Sequence, residues 1–118
     1  MPHRILIVEN EPLIAHELEA IVEDEGYEVV GIAATMTRAL RMAAGARVDV
    51  AIIDIRLAGG DSGLETARRL RADHDVASLF VSANITEKVM ALALDWAPIG
   101  FIGKPYNADA VLAALRSA

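Results

Sequence analysis

Polar side chains suited to chemistry follow the short apolar runs of this sequence, directly after each run ends. They are Glu9, Asn10, Asp54, Ser82 and Lys104. Asp54 is the most informative, because it ends the apolar run 50–53, which is typical of a strand buried on both faces. The carboxyl ends of parallel strands meet at one edge of a sheet, where binding sites collect. We therefore expect these side chains to form one polar cluster.

The oxygen atoms of this cluster match the ligands that Mg²⁺ prefers. Glu9, Asn10 and Asp54 offer hard oxygen donors, and Mg²⁺ is commonly held by a few such ligands together with several waters. A divalent ion would also neutralise part of the negative charge. The cluster therefore predicts a magnesium site.

A carboxylate beside a metal ion and a lysine is also a suitable acceptor for a phosphoryl group. Catalysis of phosphoryl transfer consists mainly of positioning and neutralisation of charge. In this interpretation Asp54 is the nucleophile. Ser82 donates a hydrogen bond to one transferred oxygen, Lys104 pairs with another, and the metal takes the third.

Five cycles of a short apolar run and an amphipathic segment must position these residues, and this alternation is typical of repeated βα units. The predicted strands are residues 5–8, 29–33, 48–53, 79–81 and 100–102. The predicted helices run from Pro12 to Glu25, from a cap at Thr35 or Thr37 to about Ala44, from the end of loop 58–63, from Glu87 to Leu94 after a Thr86 cap, and from an Asn107 cap to about Arg116. We predict an α/β fold, a doubly wound parallel sheet of five strands with helices on both faces.

The composition indicates one globular domain over residues 1–118, with 54% hydrophobic and 24% charged residues. No apolar stretch approaches the roughly 18 uncharged residues of a membrane helix. The chain has no cysteine, and its first four residues leave no room for a signal peptide before the first strand, so we expect a cytoplasmic protein. A net charge of -6 and a pI near 4.9 argue against direct nucleic-acid binding.

Four motifs, in their order and spacing, resemble the receiver domain of bacterial two-component response regulators, the CheY-like family. They are residues 5–12, residues 54–57 leading to 60–65, residues 81–83 and residues 103–105. The resemblance covers essentially the whole chain. It implies a flavodoxin-like strand order 2-1-3-4-5 and a signalling switch rather than an enzyme with a released product.

The resemblance also implies a role for each matching position. Asp54 would accept a phosphoryl group from a histidine kinase or a histidine phosphotransfer protein. Mg²⁺ would be bound by Asn10, Asp54 and the backbone carbonyl of Arg56, with Glu9 acting through water. Ser82 and Phe101 take the paired switch positions, Lys104 contacts the phosphoryl group, and the bond from Lys104 to Pro105 is often cis in this family.

Three positions depart from the usual pattern of that family. Asn10 stands where aspartate is common, which removes one formal charge, so we expect weaker Mg²⁺ binding and slower phosphorylation. Asn10 still offers a carbonyl oxygen, and Glu11 is placed to compensate. Glu9 keeps the charge of the commoner aspartate. Phe101 lacks the hydroxyl of the commoner tyrosine, so a switch there would act through burial of the ring.

The predicted fourth helix is apolar nearly all round, although a helix laid on a sheet buries one side only. The resemblance implies a protein-docking surface made by the fourth helix, fifth strand and fifth helix, and we interpret Met90, Trp96 and Phe101 as part of it, for a homodimer or a downstream partner. The alternative is that Trp96 and the nearby leucines fold back onto the core.

Each residue of the cluster also has an ordinary structural role open to it. Alone, Asp54 is typical of a turn former or helix cap. Glu9 and Glu11 would complement the amino terminus of a helix, and Ser82 or Lys104 would be a loop cap or a solvated side chain. Their joint occurrence at strand ends favours the chemical interpretation.

Two further patterns predict no site. His3, His16 and His74 share no face at metal-ligand spacing, and we interpret all three as solvated. Gly59 and Gly60 lack the lysine and serine of a P-loop, so they predict a turn.

Three classes of function remain open. The favoured class is a phosphorylation-driven switch, and the second is a degenerate receiver that binds metal weakly because of Asn10 and acts as a constitutive binding module. The third is a metal-dependent phosphohydrolase with an aspartyl nucleophile. Against the third, Arg56 stands where a second acid would be needed, two positions after Asp54.

Overall fold

Five parallel strands alternate with five α-helices in the computed structural model, which describes residues 3–118. The elements are β1 Arg4–Val8, α1 Pro12–Asp24, β2 Glu28–Ala33, α2 Met36–Gly45, β3 Val50–Ile53, α3 Gly63–His74, β4 Ala77–Ser82, α4 Glu87–Ala93, β5 Gly100–Gly103 and α5 Ala108–Arg116. The strand order is β2-β1-β3-β4-β5, and every pairing is parallel. The predicted fold class and strand order are confirmed. Among residues 3–118 there is no helix with the length and apolar character needed to cross a membrane.

The sheet is buried on both faces, which explains why its central strands are continuous apolar runs. Successive side chains of a strand point to opposite faces. Leu6 and Val8 of β1 belong to one core cluster together with residues of α2, α3 and α4. Ile5 and Ile7 belong to a second cluster together with residues of α1 and α5. The helices therefore cover the sheet in two layers.

Several predicted boundaries differ from the observed ones by one or two residues. β3 begins at Val50 rather than Val48, and β4 extends to Ala77–Ser82 instead of 79–81. The polar residues Ser78 and Ser82 hid the full length of β4, although both are buried. α4 ends at Ala93 and is followed by a separate 3-10 turn, Leu94–Trp96.

The two helix N-caps that were predicted as single residues, Thr86 and Asn107, are confirmed. The side chain of Thr86 accepts a hydrogen bond from the backbone of Val89, and that of Asn107 accepts one from Ala110. Of the two threonines proposed for α2, Thr35 is the cap. Such caps satisfy backbone N–H groups that a helix leaves without an internal partner.

The register of the central strands places two acids next to each other. Val8 of β1 pairs with Ile53 of β3. The residues that follow, Glu9 and Asp54, therefore leave the same edge of the sheet side by side. The backbone N–H of Asp54 donates to the carbonyl of Val8 at 2.9 Å, which continues the ladder one residue beyond the strand.

The next two strands deliver the hydroxyl and the amine to the same edge. Ser82, the last residue of β4, pairs with Gly103 of β5. Lys104 follows Gly103, and its backbone N–H donates to the carbonyl of Ser82 at 3.1 Å. The peptide bond from Lys104 to Pro105 is cis, as the resemblance implied.

Candidate functional site

Asp54 lies at the centre of the polar edge, with only 7% of its surface exposed. Its Oδ1 accepts a hydrogen bond of 2.6 Å from the hydroxyl of Ser82. Its Oδ2 accepts one of 3.0 Å from Nζ of Lys104. A charged acceptor with two directed donors makes short, strong hydrogen bonds. The predicted meeting of these three side chains is therefore observed.

Lys104 joins Asp54 to a second buried acid. Its Nζ donates to Oε1 of Glu9 at 2.6 Å, and the other oxygen, Oε2, accepts the backbone N–H of Glu11 at 3.2 Å. The Lys104 side chain is 12% exposed. The resemblance implied that Glu9 acts on the metal through water, and the structure adds a direct ion pair of Glu9 with Lys104.

Burial and hydrogen bonding act in opposite directions on the pKa values of these groups. Burial raises the pKa of Glu9, and the hydrogen bond from Lys104 reverses only part of that rise. Burial also acts to raise the pKa of Asp54, but hydrogen bonds from Ser82 and Lys104 outweigh it and leave the pKa lowered. Desolvation acts to lower the pKa of Lys104, yet its hydrogen bonds to both acids raise it. Asp54 and Lys104 therefore stay charged at neutral pH.

A group of acids beside this ion pair has the composition of a magnesium site. One carboxylate oxygen from each of Glu9, Glu11 and Asp54 lies within 4.8 Å of the others. Glu11 is exposed, whereas the other two are buried. Hard oxygen donors of this kind fit Mg²⁺. Glu11 lies where it was expected to compensate for the missing charge at Asn10.

Asn10 lies at the exposed side of this acid group, next to the backbone carbonyl of Arg56. With its amide nitrogen turned toward its neighbours, it donates to Arg56 O at 3.1 Å and to Glu9 Oε2 at 3.2 Å. Asn10 and the Arg56 carbonyl, both predicted as metal ligands, therefore lie together.

Gly63 is a residue of the site whose role sequence reasoning missed. A Cβ atom at this position would stand 1.9 Å from the backbone carbonyl oxygen of Asp54. The N–H of Gly63 donates to the carbonyl of Ile55 at 2.6 Å, so the start of α3 lies directly against the chain that leaves β3. Only glycine fits such a close approach of two backbones. The quoted motif 60–65 contained the signal, but not the reason for it.

Asp61 is a second residue that sequence reasoning missed. Its Oδ2 accepts the backbone N–H of Met36, the first residue of α2, at 3.0 Å. The backbone of Asp61 also accepts the N–H of Leu57 at 3.1 Å. Gly59 and Gly60 lie between these contacts with φ of 72° and 79°, in a 3-10 turn. The turn predicted there is confirmed, and it connects the site to α2.

The two predicted switch residues lie in different surroundings. The Ser82 hydroxyl is fully buried and bonded to Asp54. The Phe101 ring is half-buried and stacks on Phe80, with ring centroids 5.3 Å apart and an interplanar angle of 10°. Stacked rings at this distance attract each other. The ring of Phe101 therefore packs inward, against the core.

The exposed apolar side chains around α4 are not the ones that were predicted to form the docking surface. Met90 and Trp96 are half-buried, and Trp96 packs against the core. Leu92 and Leu94 are 53% and 66% exposed. The apolar character of the exposed surface around α4 therefore comes mainly from the two leucines.

Arg71 of α3 holds the backbone that follows α4. Its Nε donates to the carbonyl of Trp96 at 2.9 Å, and its Nη2 donates to the carbonyl of Ala97 at 3.0 Å. A third hydrogen bond, from Nη1, reaches Asp75 at 3.0 Å. Arg71 thus ties α3 to the connection between α4 and β5.

The histidines lie apart from the site. His16 is exposed and hydrogen-bonded to Glu19 at 3.3 Å, in agreement with a solvated side chain. His74 is half-buried. His3 is also half-buried, and its ring stacks on that of Tyr27 at 6.2 Å, so neither His3 nor His74 is as fully solvated as predicted.

Comparison with known proteins agrees with this geometry. The sequence model of the response regulator receiver domain family matches residues 5–116. The phyllosphere-induced regulator PhyR of Methylorubrum extorquens is 43% identical over 84 residues, which cover 70% of this chain and 32% of that protein. The chain spans between 32% and 57% of the length of the curated relatives that it matches.

Solved structures share the fold over the whole chain. The signal receiver domain of a modulated diguanylate cyclase from Desulfovibrio desulfuricans has a TM-score of 0.90 at 32% identity, and the match covers 100% of this chain and 94% of that one. The receiver domain of a sensor histidine kinase from Pseudomonas aeruginosa, with a magnesium ion coordinated in its active site cleft, has a TM-score of 0.82 at 25% identity, covering 98% and 96%. The chain described here belongs to the family of response regulator receiver domains.

Proposed function

We propose that Asp54 accepts a phosphoryl group from a histidine kinase or a histidine phosphotransfer protein. The observation that carries the proposal is the placement of one ionised carboxylate between the Ser82 hydroxyl and the Lys104 ammonium. In the reaction, Asp54 attacks phosphorus, the phosphorus–nitrogen bond of phosphohistidine breaks, and an acyl phosphate forms on Asp54. The electron pair of the broken bond leaves with the histidine nitrogen.

The residues around Asp54 divide the work of the transfer. Lys104 pairs with one transferred oxygen and Ser82 donates to another, so developing negative charge meets donors that are already in place. Formation of the acyl phosphate also releases Lys104 from Oδ2 of Asp54, because a phosphoryl oxygen and Oδ2 compete for the same ammonium group. Glu9 keeps Lys104 at the site throughout, through its 2.6 Å ion pair.

The acid group fits Mg²⁺, and we include the ion in the proposal. Asn10, Asp54 and the Arg56 carbonyl would hold it, with Glu9 and Glu11 beside them. When bound, Mg²⁺ supplies positive charge for the third transferred oxygen. Asn10 contributes no charge, so we expect binding to be weaker than at a site with a carboxylate in its place.

Intact mass spectrometry tests this proposal directly. After incubation with acetyl phosphate and Mg²⁺, the wild type should gain the mass of one phosphoryl group, whereas Asp54→Asn should gain none. Asp61→Asn is a matched control, because this acid lies on a neighbouring loop and accepts the backbone N–H of Met36 at the start of α2. Equal modification of wild type and Asp54→Asn would contradict the proposal.

A second candidate function follows from the surroundings of Asn10. With its nitrogen turned inward, the amide would satisfy the Arg56 carbonyl and Glu9 without an ion, which suits a domain that binds partners in one constant conformation. If the wild type takes no phosphoryl group and Asn10→Asp restores the reaction, this second function is favoured over the first.

We further propose that phosphorylation changes the surface formed by α4, β5 and α5 and so controls a dimer or a downstream protein. Movement of the Ser82 hydroxyl toward a phosphoryl group would break its bond to Asp54 and alter packing next to Phe101. Leu92 of α4 and Leu94 of the turn that follows it both have exposed side chains. Sedimentation with and without beryllofluoride tests the dimer, and an unchanged mass distribution would exclude it.

The cytoplasmic location and the single-domain organisation also stay predictions.

A further inference from the structure

The side-chain amide of Asn10 can turn either its NH₂ group or its oxygen toward the site. The amide atom turned toward the site lies 3.1 Å from Arg56 O and 3.2 Å from Glu9 Oε2, and both neighbours only accept hydrogen bonds. An amide nitrogen in that position donates to both. An amide oxygen in the same position would meet two other oxygens, an arrangement that is favourable only around a cation. The same geometry therefore serves two chemical states.

We propose that Asn10 is a two-position amide that replaces the metal ion when the ion is absent. In the metal-free protein its NH₂ group bridges Glu9 and the Arg56 carbonyl. When Mg²⁺ binds, the amide turns over and offers its carbonyl oxygen as a ligand. This inference rests on the magnesium site of the proposed function, but its metal-free half does not.

The local charge explains why such a bridge matters. Glu9, Glu11 and Asp54 place three carboxylates close together, and Lys104, the one ammonium that the site contains among residues 3–118, pairs with Glu9 and Asp54. An aspartate at position 10 would add a fourth carboxylate and face the Arg56 carbonyl with another acceptor. The Asn10 amide adds two donors instead, and it ties the end of β1 to the chain after β3.

The exposed position of Asn10 allows the amide to turn over. Asn10 is exposed, so its terminal group rotates without displacing core residues. Rotation about the last bond of an asparagine side chain meets a broad, nearly two-fold profile. Mg²⁺ must therefore displace two hydrogen bonds as well as bind at a site of lower charge. Both effects weaken its binding, and the metal-free site stays assembled.

Nuclear magnetic resonance of the wild type tests the bridge. The side-chain NH₂ pair of Asn10 is assigned by its disappearance in Asn10→Asp. In EDTA, we expect this pair to be shifted from the position of a free amide and to exchange slowly with water. Titration with Mg²⁺ to saturation, measured by calorimetry, should move the pair toward the free position. A pair at the free position in EDTA would overturn the bridge. A bridged pair that does not respond to saturating Mg²⁺, or a protein that Mg²⁺ does not saturate, would overturn the two-position amide.

Two substitutions separate the bridge from the charge. Asn10→Ala removes the donors without adding charge, and Asn10→Asp removes them and adds a carboxylate. In EDTA both variants should melt at a lower temperature than the wild type. Mg²⁺ should raise the melting temperature of Asn10→Asp by more than that of the wild type, and that of Asn10→Ala by the least. We also expect Asn10→Asp to bind Mg²⁺ roughly tenfold more tightly than the wild type. Equal melting temperatures of all three proteins in EDTA would overturn the proposal.

These measurements are independent of phosphorylation. If Asp54 gains no phosphoryl group while the amide responds to Mg²⁺, the proposed function fails and the two-position amide stands. If Asp54 is phosphorylated and the amide signal is free in EDTA, the proposed function stands and this inference fails.

Discussion

Gly63 lies so close to Asp54 that the space for a Cβ atom is already taken by the Asp54 carbonyl oxygen, 1.9 Å away. The first turn of α3 is thus in backbone contact with the residue that we propose as phosphoryl acceptor. Any side chain at position 63 would push α3 away from the site.

We expect Gly63→Ala to lower the free energy of unfolding by about 3 kcal/mol, because the backbone of Asp54 cannot move without disturbing the sheet. Urea unfolding followed by circular dichroism measures the loss. Gly45→Ala is the matched control, since a Cβ there meets nothing within 4 Å, and we expect a change of less than about 1 kcal/mol. Equal stability of the two variants would contradict the close contact.

Ser82→Ala removes the donor to Oδ1 of Asp54. We expect phosphorylation by acetyl phosphate to slow by about 10- to 100-fold, because one preorganised donor is lost from the site of transfer. Ser78→Ala makes the same chemical change at another buried position of β4 and should keep the wild-type rate. A normal rate in Ser82→Ala would show that its hydroxyl takes no part in the transfer.

Lys104→Met leaves Glu9 and Asp54 buried without a positive partner. At pH 7 we expect the free energy of unfolding to fall by about 3 kcal/mol, the usual cost of breaking a buried ion pair from one side. Lys88→Met, at an exposed position of α4, should change it by less than about 0.5 kcal/mol. Similar losses in the two variants would argue against a special role for Lys104.

The Lys104→Met variant should also respond to acid in the opposite sense from the wild type. In the wild type the pKa of Asp54 is lowered, so its carboxylate stabilises the fold above its usual pKa of 3.8, and this stability is lost as the pH falls through the lowered value. Without Lys104 the pKa values of both acids rise through burial, and protonation then relieves the repulsion. The stability difference from the wild type should therefore shrink between pH 7 and about pH 5. Urea titrations at a series of pH values would reveal a constant difference if this explanation is wrong.

Glu65 provides a pH dependence at the surface of α3. Hydrogen bonds from Arg68 and Arg69 lower its pKa to about 2. A lowered pKa stabilises the fold above pH 4.5, and this stability disappears as the pH falls from 4.5 to about 2. We expect Glu65→Gln to be less stable than the wild type at pH 7 and to approach it near pH 3. The difference should also decrease in high salt, because the pairs are exposed. A stability difference that changes neither with pH nor with salt would contradict a role for these ion pairs.

Substitutions of Trp96 and Leu94 should distinguish a role in core packing from a role in binding a partner. Trp96→Ala should lower stability, since this ring packs against the core, whereas Leu94→Ser should leave stability nearly unchanged because its side chain is 66% exposed. If the surface binds a partner or a second copy, Leu94→Ser should weaken that association. Thermal unfolding and sedimentation of both variants check the two effects, and association that is unchanged in Leu94→Ser would exclude Leu94 from the interface.

The fold and the meeting of the polar residues were predictable because both depend on one simple pattern. Apolar runs such as 50–53 indicate strands covered on both faces, and parallel strands bring Asp54, Ser82 and Lys104 to the same edge. The start of β4 was not predictable, because Ser78 is polar yet buried and interrupts the apolar signal.

Features that depend on distances between elements escaped sequence reasoning. The need for glycine at position 63 arises from where α3 lands on the chain after β3. The contact of Asp61 with α2 depends on the path of a loop. In our proposal, the orientation of the Asn10 amide depends on two acceptors that follow different strands, Glu9 after β1 and the Arg56 carbonyl after β3. Local residue patterns do not give the distances on which these relationships depend.

The three hydrogen bonds of Arg71 have a mechanical consequence for any signal that leaves Asp54. Two of them clamp the backbone at Trp96 and Ala97 to α3, so the stretch from Ser82 to Phe101 has an anchored point near its far end. Any displacement that begins at Ser82 would then be taken up before the clamp, by the loop before α4 and by α4 itself. We therefore expect a shift that begins at Ser82 to move α4 rather than the residues that follow the clamp.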